Sequence, residues 1–311
     1  MVKGKFKLVT AMLIFGSIGV FVKHINLSSS EIAFLRGVIG CLFLIGVGFW
    51  AKQRPSFTSI KENGKLLILS GTAIGLNWIF LFQAYRYTTI AIATLSYYFA
   101  PIFVMILAPF VLKEKLTYIK VGCILTAMIG LFLIVNPDGN VGGVYNQVIG
   151  ILYGLSAAIL YAGVILMNKF IKNLPDQETT IIQLLVASLI LFPYILIKDN
   201  INFSSLTLYS GLMILILGIF HTGIAYYLYF SAVKELKGQT IAVLSYIDPI
   251  SAVIFAAIFL GENMSLIQIA GGVLILSSTF LSERLERTAQ KVGKIDLFHL
   301  IKIKDLKKEE N

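Results

Sequence analysis

The sequence predicts an all-α membrane protein in which ten transmembrane helices form two five-helix repeats of inverted topology. Hydrophobic residues make up 57% of the 311 positions and charged residues only 14%, and the mean hydropathy is +0.85. A soluble domain needs more polar surface than this composition provides. The chain also repeats itself, because Tyr98 and Pro101 recur 148 positions later as Tyr246 and Pro249. Duplication within a membrane chain is typical of transporters.

Ten apolar runs, separated by Lys, Arg or Pro, give the helices in order. A helix needs about 20 mainly apolar residues to cross a bilayer. The first run follows a lysine-rich start, but no small-residue cleavage site closes it, so we expect a retained helix rather than a signal peptide. The predicted spans cover about 6–23, 31–50, 66–86, 90–112, 118–135, 147–169, 179–197, 208–230, 239–260 and 266–282.

The repeat divides the chain into a first five-helix unit at 1–140, a second at 141–282 and a basic tail at 283–311. Lys and Arg are concentrated at the N-terminus and in the loops after every second span, which predicts that both termini face the cytoplasm. Because each unit has an odd number of helices, the second unit is inverted relative to the first. Such pairs place a substrate site between the halves, near the bilayer midplane. The tail fits either an interfacial helix on anionic lipid or a disordered segment.

Charge and cysteine content exclude several classes of function. The net charge of +10 is spread over short loops and the tail, so we expect the lipid bilayer and no nucleic acid as a partner. Cys41 and Cys123 fall within apolar spans, where a small packing residue is the ordinary role. The sequence carries no metal-ligand cluster, Walker motif, phosphate loop or hydrolase triad, so we predict no metal, no cofactor and no enzyme. The oligomeric state is left open.

Local signals predict several structural details. Pro101 and Pro249 lie within spans 4 and 9, where proline bends a helix, and their matched positions predict paired bends around a cavity. Ser265 and Gln268 have the spacing of a capping box at the start of span 10. Glu262, just before that start, is expected to favour the positive end of the helix dipole.

Short motifs resemble the EamA family of the drug/metabolite transporter superfamily. They are Ala-Tyr-Arg-Tyr after span 3, Tyr-Tyr-Phe-Ala-Pro in span 4, Lys-Glu-Lys-Leu-Thr before span 5, Tyr-Ile-Asp-Pro in span 9 and Leu-Gly-Glu-Asn-Met-Ser before span 10. The resemblance covers about residues 6–282. It implies a ten-helix carrier of the bacterial cytoplasmic (inner) membrane, usually an exporter of amino acids, other metabolites or drugs. It leaves the substrate open.

Asp248 is the most informative charged residue. It precedes Pro249 near the middle of span 9, where an ionised carboxylate is costly unless it is paired or hydrated. An acid before this proline is similar to the family pattern. We predict a cavity-facing carboxyl that couples transport by binding a cation, a substrate amine or a proton. The alternative is a hydrogen bond between helices that holds the bend.

Two basic side chains have open alternatives as well. Arg36 lies in the outer part of span 2, and its guanidinium suits bidentate contact with a substrate carboxylate. Extension of its side chain to the outer headgroups is the alternative. His221 lies near the middle of span 8, and histidine titrates near neutral pH, so proton transfer is a hypothesis. The alternative is a single hydrogen bond to a neighbouring helix.

Polar and aromatic side chains at mid-membrane depth complete the predicted site. Each buried hydroxyl, amide or indole N–H there needs a partner or water, which suits an amphipathic guest. Interfacial belts are the alternative for tyrosine and tryptophan, and we expect them to explain Tyr85, Tyr87, Tyr209 and Tyr229 near span ends. The predicted substrate-binding residues are Arg36, Asn77, Trp78, Tyr97, Tyr98, Tyr153, Tyr161, His221, Tyr226 and Tyr246.

Together these features predict a secondary-active or facilitative transporter that exports small amphipathic metabolites, amino acids or related compounds, by alternating access, with protons as a candidate partner. A carrier of vitamins or nucleotide-type solutes is an alternative, but it should need more cationic groups than Arg36 supplies. A non-transporting scaffold has no reason to keep Asp248 and His221 at mid-depth. An intramembrane enzyme should show clustered acid, base or nucleophile residues.

Overall fold

The computed structural model describes residues 2–51, 56–113, 118–135, 146–198, 207–236, 244–278 and 280–281. All regular structure in these ranges is helical, which confirms the predicted all-α class. The predicted unit boundary at 140/141, the tail at 283–311 and the beginning of the ninth span at 239–243 lie outside the described residues.

The described helices lie along the chain in the following order. In chain order they are α1 (Val2–Lys23), α2 (Ser29–Trp50), α3 (Phe57–Glu62), α4 (Gly64–Tyr87), α5 (Ile90–Tyr97), α6 (Ala100–Val111), α7 (Tyr118–Val135), α8 (Gln147–Asn168), α9 (Asp176–Lys198), α10 (Leu208–Ile216), the π segment (Leu217–Ile224), α11 (Ala225–Glu235), α12 (Ile247–Leu260) and α13 (Leu266–Ser278).

Seven helical stretches of the described residues are long and apolar enough to cross a membrane. Three shorter apolar helices, Val121–Leu133, Ile247–Leu260 and Leu266–Ser278, lie at the places of predicted spans 5, 9 and 10. The count of ten spans therefore stays a prediction. The seven long stretches are Lys3–Lys23, Ser29–Trp50, Gly64–Tyr87, Ile90–Val111, Gln147–Asn168, Asp176–Ile197 and Leu208–Ala232.

Capping boxes fix where two helices begin. Ser28 Oγ accepts from the Glu31 backbone N–H at 3.1 Å, and the Ser28 N–H donates to Glu31 Oε2 at 2.7 Å. At α13 the predicted box is confirmed, since the Gln268 N–H donates to Ser265 Oγ at 3.2 Å and the Ser265 N–H donates to Gln268 Oε1 at 3.0 Å. Each box satisfies backbone donors that a helix start leaves without a partner.

Two helices are interrupted just before the matched prolines. The span Ile90–Val111 breaks after Tyr97 and resumes at Ala100, so Pro101 lies in the first turn of α6. In the same way α12 begins directly after Tyr246 and carries Pro249 in its first turn. Proline is tolerated there because its missing N–H breaks no helical hydrogen bond. Both interruptions occur where the sequence predicts bends.

The helices of residues 2–135 pack against those of residues 146–281. Helix α4 contacts α8 and α9, α1 contacts α11 and α12, and α2 contacts α9 and the π segment. Small residues permit these approaches. A Cβ atom on Gly71 of α4 would lie 2.7 Å from Val186 Cβ, and one on Gly154 of α8 would lie 2.8 Å from Ser96 Cβ. The core therefore lies between the two parts of the chain, where the cavities also lie.

Candidate functional site

A central cavity of about 340 Å³ lies where the interrupted helices meet α1, α2, α4, α8 and α11. Its volume is in the range typical of small-molecule sites. Eight of the predicted site residues line it: Arg36, Asn77, Trp78, Tyr97, Tyr98, Tyr161, Tyr226 and Asp248. The structure thus gathers most of the predicted polar and aromatic side chains around one space.

A second cavity of about 440 Å³, called the vestibule below, adjoins the first. The two cavities share wall residues, among them Tyr98, Tyr226 and Asp248. The vestibule extends toward the connection between α8 and α9, where Ile171 and Asp176 line it. In the predicted orientation this end faces the cytoplasm.

Asp248 lies in the first turn of α12 at the boundary of both cavities. A carboxylate is favoured at this position by the helix dipole. The Tyr98 hydroxyl donates to Asp248 Oδ2 at 2.5 Å. Within the described residues Asp248 forms no ion pair. The interhelical hydrogen bond and the cavity-facing position, which the sequence left as alternatives, thus occur together.

Arg36 is buried inside the protein, with 3% of its surface exposed. Its guanidinium lies 4.5 Å from the ring centroid of Trp78 and 5.8 Å from that of Phe82, within the range of cation–π attraction. Its Nε–H donates to Thr222 Oγ1 at 2.7 Å. This burial speaks against extension to the headgroups. Arg36 also forms no ion pair with any residue that the structure describes.

The π segment places the hydrogen-bond acceptor of Arg36. The Thr222 hydroxyl donates to the Leu217 carbonyl at 3.1 Å, so its oxygen is free to accept from Arg36. π-Helical turns often occur at functional sites. No sequence signal indicates this segment, because a local pattern of apolar residues does not distinguish a π-helix from an α-helix.

His221 lies in the same segment but lines neither cavity. Its Nε2 is 2.9 Å from Ser17 Oγ, its Nδ1 is 3.4 Å from the Ile216 carbonyl, and its ring packs edge-on against Phe21. This geometry fits the alternative in which His221 joins neighbouring helices.

Two other predicted residues also lie away from the cavities. Tyr153 stacks on Tyr87 with ring centroids 5.5 Å apart at the α4–α8 contact. Tyr246 packs edge-on against Phe280 with ring centroids 5.6 Å apart. Asn77 lines the central cavity and also joins helices, because its Nδ2 donates to the Ala157 carbonyl at 2.6 Å.

Several lining residues were not predicted. The expectation of an interfacial role is wrong for Tyr85, which is 5% exposed and lines the central cavity. Tyr229 lines the vestibule. Helical spacing gives a signal for Tyr85, since it follows Trp78 by seven positions on one face of α4. Other lining residues that were missed are Phe15, Ile74, Thr94 and Ser245. Within the described residues no three His, Cys, Asp or Glu side chains form a group that could hold a metal ion.

A polar cluster joins three elements at the helix ends opposite the vestibule. Glu262 Oε2 accepts from the backbone N–H of Ile90 at 2.8 Å and of Ala91 at 3.4 Å. Lys23 Nζ lies 4.0 Å from Glu262 Oε1 and donates to the Thr88 carbonyl at 3.4 Å. The carboxylate therefore accepts hydrogen bonds from the N-terminus of α5, whereas the sequence predicts that it favours the start of α13, the helix that follows it. Burial raises the pKa of Glu262, against the lowering effect of the backbone N–H groups and Lys23.

Known proteins share this sequence pattern and fold. The model of the EamA-like transporter family matches residues 2–136 and again residues 148–284. The uncharacterized transporter YxxF of Bacillus subtilis (strain 168) is 33% identical over 276 residues, which cover 89% of this chain and 88% of the relative. A Salmonella typhimurium protein named "Probable amino-acid metabolite efflux pump" is 26% identical over 269 residues, which cover 81% of this chain and 89% of the relative. One crystal structure matches with a TM-score of 0.63 at 19% identity, covering 93% of this chain and 99% of that one.

Proposed function

Because the chain belongs to the EamA-like transporter family, we propose that this multi-pass membrane protein exports small amphipathic metabolites, amino acids or related organic compounds, by alternating access. It acts as a secondary-active or facilitative transporter. The observation that carries the proposal is the central cavity, where Arg36 and Asp248 stand among aromatic walls and neither forms an ion pair within the described residues. The name of the Salmonella relative supports the amino-acid class.

The proposed architecture is two five-helix units, at 1–140 and 141–282, inverted relative to each other. The two successive matches of the family model support this division. The matched interruptions before Pro101 and Pro249 support it as well. In the bacterial inner membrane both termini, including the tail at 283–311, face the cytoplasm, as the distribution of Lys and Arg predicts.

Transport follows from exchange between two closures around the central cavity. In this structure the vestibule adjoins the cavity at one end, while the cluster of Lys23 and Glu262 joins α1 to α5 at the other. Rocking of one unit against the other exchanges these states. A substrate amine and a proton compete for the Asp248 carboxylate, so binding of one favours release of the other. That competition provides a route for proton coupling.

Carriers of vitamins or nucleotide-type solutes are the alternative within this class. Among the described residues that line the two cavities, Arg36 is the one basic side chain. A multiply anionic solute needs several such groups, so we favour a solute with one carboxylate. A scaffold without transport has no need for two adjoining cavities.

Flux measurements in proteoliposomes test the proposed function. Purified protein should exchange members of a panel of labelled amino acids, and an imposed pH gradient should accelerate their flux. Asp248→Asn should remove that acceleration. Glu62→Gln removes an exposed carboxylate at the end of α3 and should leave it unchanged. Absence of flux for every solute would refute transport, whereas flux that ignores both the gradient and Asp248→Asn would refute only the coupling.

A further inference from the structure

We propose that the central cavity binds its substrate as a zwitterion, with the carboxylate on Arg36 and the ammonium group on Asp248; this inference rests on the proposed transport function. Both side chains line the same cavity, and no ion pair joins them. Because the two opposite charges line one cavity without forming an ion pair, the cavity can bind a solute that carries both complementary charges.

The surroundings of Arg36 point to an anionic group. The side chain is 3% exposed, its ring contacts are with Trp78 and Phe82, and its hydrogen bond is to the neutral hydroxyl of Thr222. A guanidinium has five N–H donors, and the hydrogen bond to Thr222 uses the one on Nε. The other four N–H donors are on the two terminal nitrogens of the guanidinium, a group that binds carboxylates through two parallel hydrogen bonds. A buried cation without a carboxylate is costly, and a substrate carboxylate removes that cost.

The surroundings of Asp248 point to a cationic group. Its Oδ2 accepts from the neutral Tyr98 hydroxyl at 2.5 Å, and a carboxylate has capacity for further donors on both oxygens. Asp248 also stands where the central cavity meets the vestibule. A substrate that enters through the vestibule therefore meets Asp248 before Arg36. An ammonium group supplies the positive charge and the donors that this position lacks.

The walls between the two charges favour an apolar substrate body. Trp78, Tyr97, Tyr161 and Tyr226 line the central cavity. Tyr97 packs near Tyr161 with ring centroids 5.5 Å apart. Such rings offer large rigid contact surfaces to an apolar or aromatic side chain. The combination of one anion site, one cation site and aromatic walls describes an amino acid with an apolar side chain.

Competition experiments with matched analogues test this inference. Exchange of labelled L-phenylalanine and L-leucine is measured in proteoliposomes containing the full chain. Unlabelled competitors are the same amino acids, the amines that lack the carboxylate (phenethylamine and isoamylamine) and the acids that lack the amine (3-phenylpropanoate and 4-methylpentanoate). Loss of one partner from a buried charge pair costs enough to weaken competition about 30-fold or more. We therefore expect both classes of analogue to compete at least that much more weakly than the amino acids.

Two variants assign the charges. Arg36→Gln should weaken competition by the amino acids about 30-fold, so that the amines then compete as well as the amino acids do. Arg86→Gln should preserve the wild-type preference for amino acids over both classes of analogue. Arg86 is the matched control because it is exposed and donates to the Leu27 carbonyl outside both cavities. Asp248→Asn should bring the acids level with the amino acids.

The outcomes separate this inference from the proposed function. If the wild-type protein exchanges amino acids but the amines or acids compete equally well, the zwitterion inference fails and transport stands. This comparison needs no variant, so it decides the matter even where Arg36→Gln does not fold. If the wild-type protein exchanges other members of the amino-acid panel but neither labelled L-phenylalanine nor labelled L-leucine, the zwitterion inference for apolar amino acids fails and transport stands. If it exchanges no labelled solute of that panel, the proposed function fails.

Discussion

Replacing Glu262 with alanine should open the central cavity at the end opposite the vestibule, which is the outer end in the proposed orientation. The carboxylate holds the N-terminus of α5 through the Ile90 and Ala91 N–H groups and approaches Lys23 of α1. Alanine removes all three contacts at once. Glutamine keeps an amide oxygen that can accept from Ile90, so Glu262→Gln is the matched control.

The loss of closed-state stability expected in Glu262→Ala follows from these contacts. One good backbone hydrogen bond and one long one contribute about 1–2 kcal/mol together, and a donor left without an acceptor costs about 1–3 kcal/mol. The Lys23 contact at 4.0 Å adds only about 0–1 kcal/mol. A net loss of about 2 kcal/mol shifts the balance between closed and open states about 30-fold. Glu262→Gln should shift it only a few-fold.

Thiol labelling measures this shift directly. Thr94 lines the central cavity, so Thr94→Cys places a reporter there. The background carries Cys41→Ala and Cys123→Ala, which removes both native thiols. A membrane-impermeant maleimide added to the outer side should react about 30-fold faster in Glu262→Ala than in the parent. Equal rates in the two proteins would refute the idea that Glu262 holds this end closed.

The same reporter has a pH dependence of known sign. Because burial raises the pKa of Glu262, the closed state binds a proton more tightly than an open state that exposes the carboxyl. This proton binding stabilises the closed state, fully below the ordinary pKa of glutamate, and the stabilisation is lost as pH rises through the raised pKa of Glu262. Labelling from the outer side should therefore slow as the solution is acidified. The decrease should be larger than in Glu262→Gln, which shows how much the thiol reaction itself slows at low pH. Acceleration at low pH would contradict this reasoning.

Two further predictions concern stability in detergent. A Cβ atom in Gly16→Ala would lie 2.7 Å from the backbone oxygen of Asp248, so the change should destabilise the protein by about 1–3 kcal/mol and lower its melting temperature. The control Gly46→Ala should leave the melting temperature unchanged, because no atom lies within 4 Å of its Cβ position. Equal melting temperatures of the two variants would contradict the close packing of α1 on α12. Asn77→Leu removes the 2.6 Å hydrogen bond to the Ala157 carbonyl and should destabilise the protein by about 1–3 kcal/mol, which the same thermal melt measures. An unchanged melting temperature would show that this hydrogen bond does not stabilise the α4–α8 contact.

Some features of the site could be predicted because their signals are local. The displacement by 148 positions relates Pro101 to Pro249, and both helices are interrupted before these prolines. Asp248 stands out because a carboxyl at mid-span is costly anywhere except beside a cavity or a partner. Arg36 stands out because a guanidinium within an apolar span is also costly without a partner.

Other features could not be predicted because they depend on helix rotation and long-range partners. Spans that are apolar all round do not show which face is buried, so the sequence places Tyr153 and His221 in the cavity and Tyr85 at a membrane interface. It also predicts that Glu262 serves the helix that follows it in the chain. Its actual partner, the start of α5, lies 172 positions away, and no local pattern carries that information.

The most direct test of the account is whether one position in the central cavity can be reached from both faces of the membrane. Ser245 lines both the central cavity and the vestibule, so Ser245→Cys, in a chain with Cys41→Ala and Cys123→Ala, reports on both closures. Alternating access predicts that impermeant maleimides label this position in right-side-out vesicles and in inverted vesicles. Labelling from one face alone, or from neither, would contradict it.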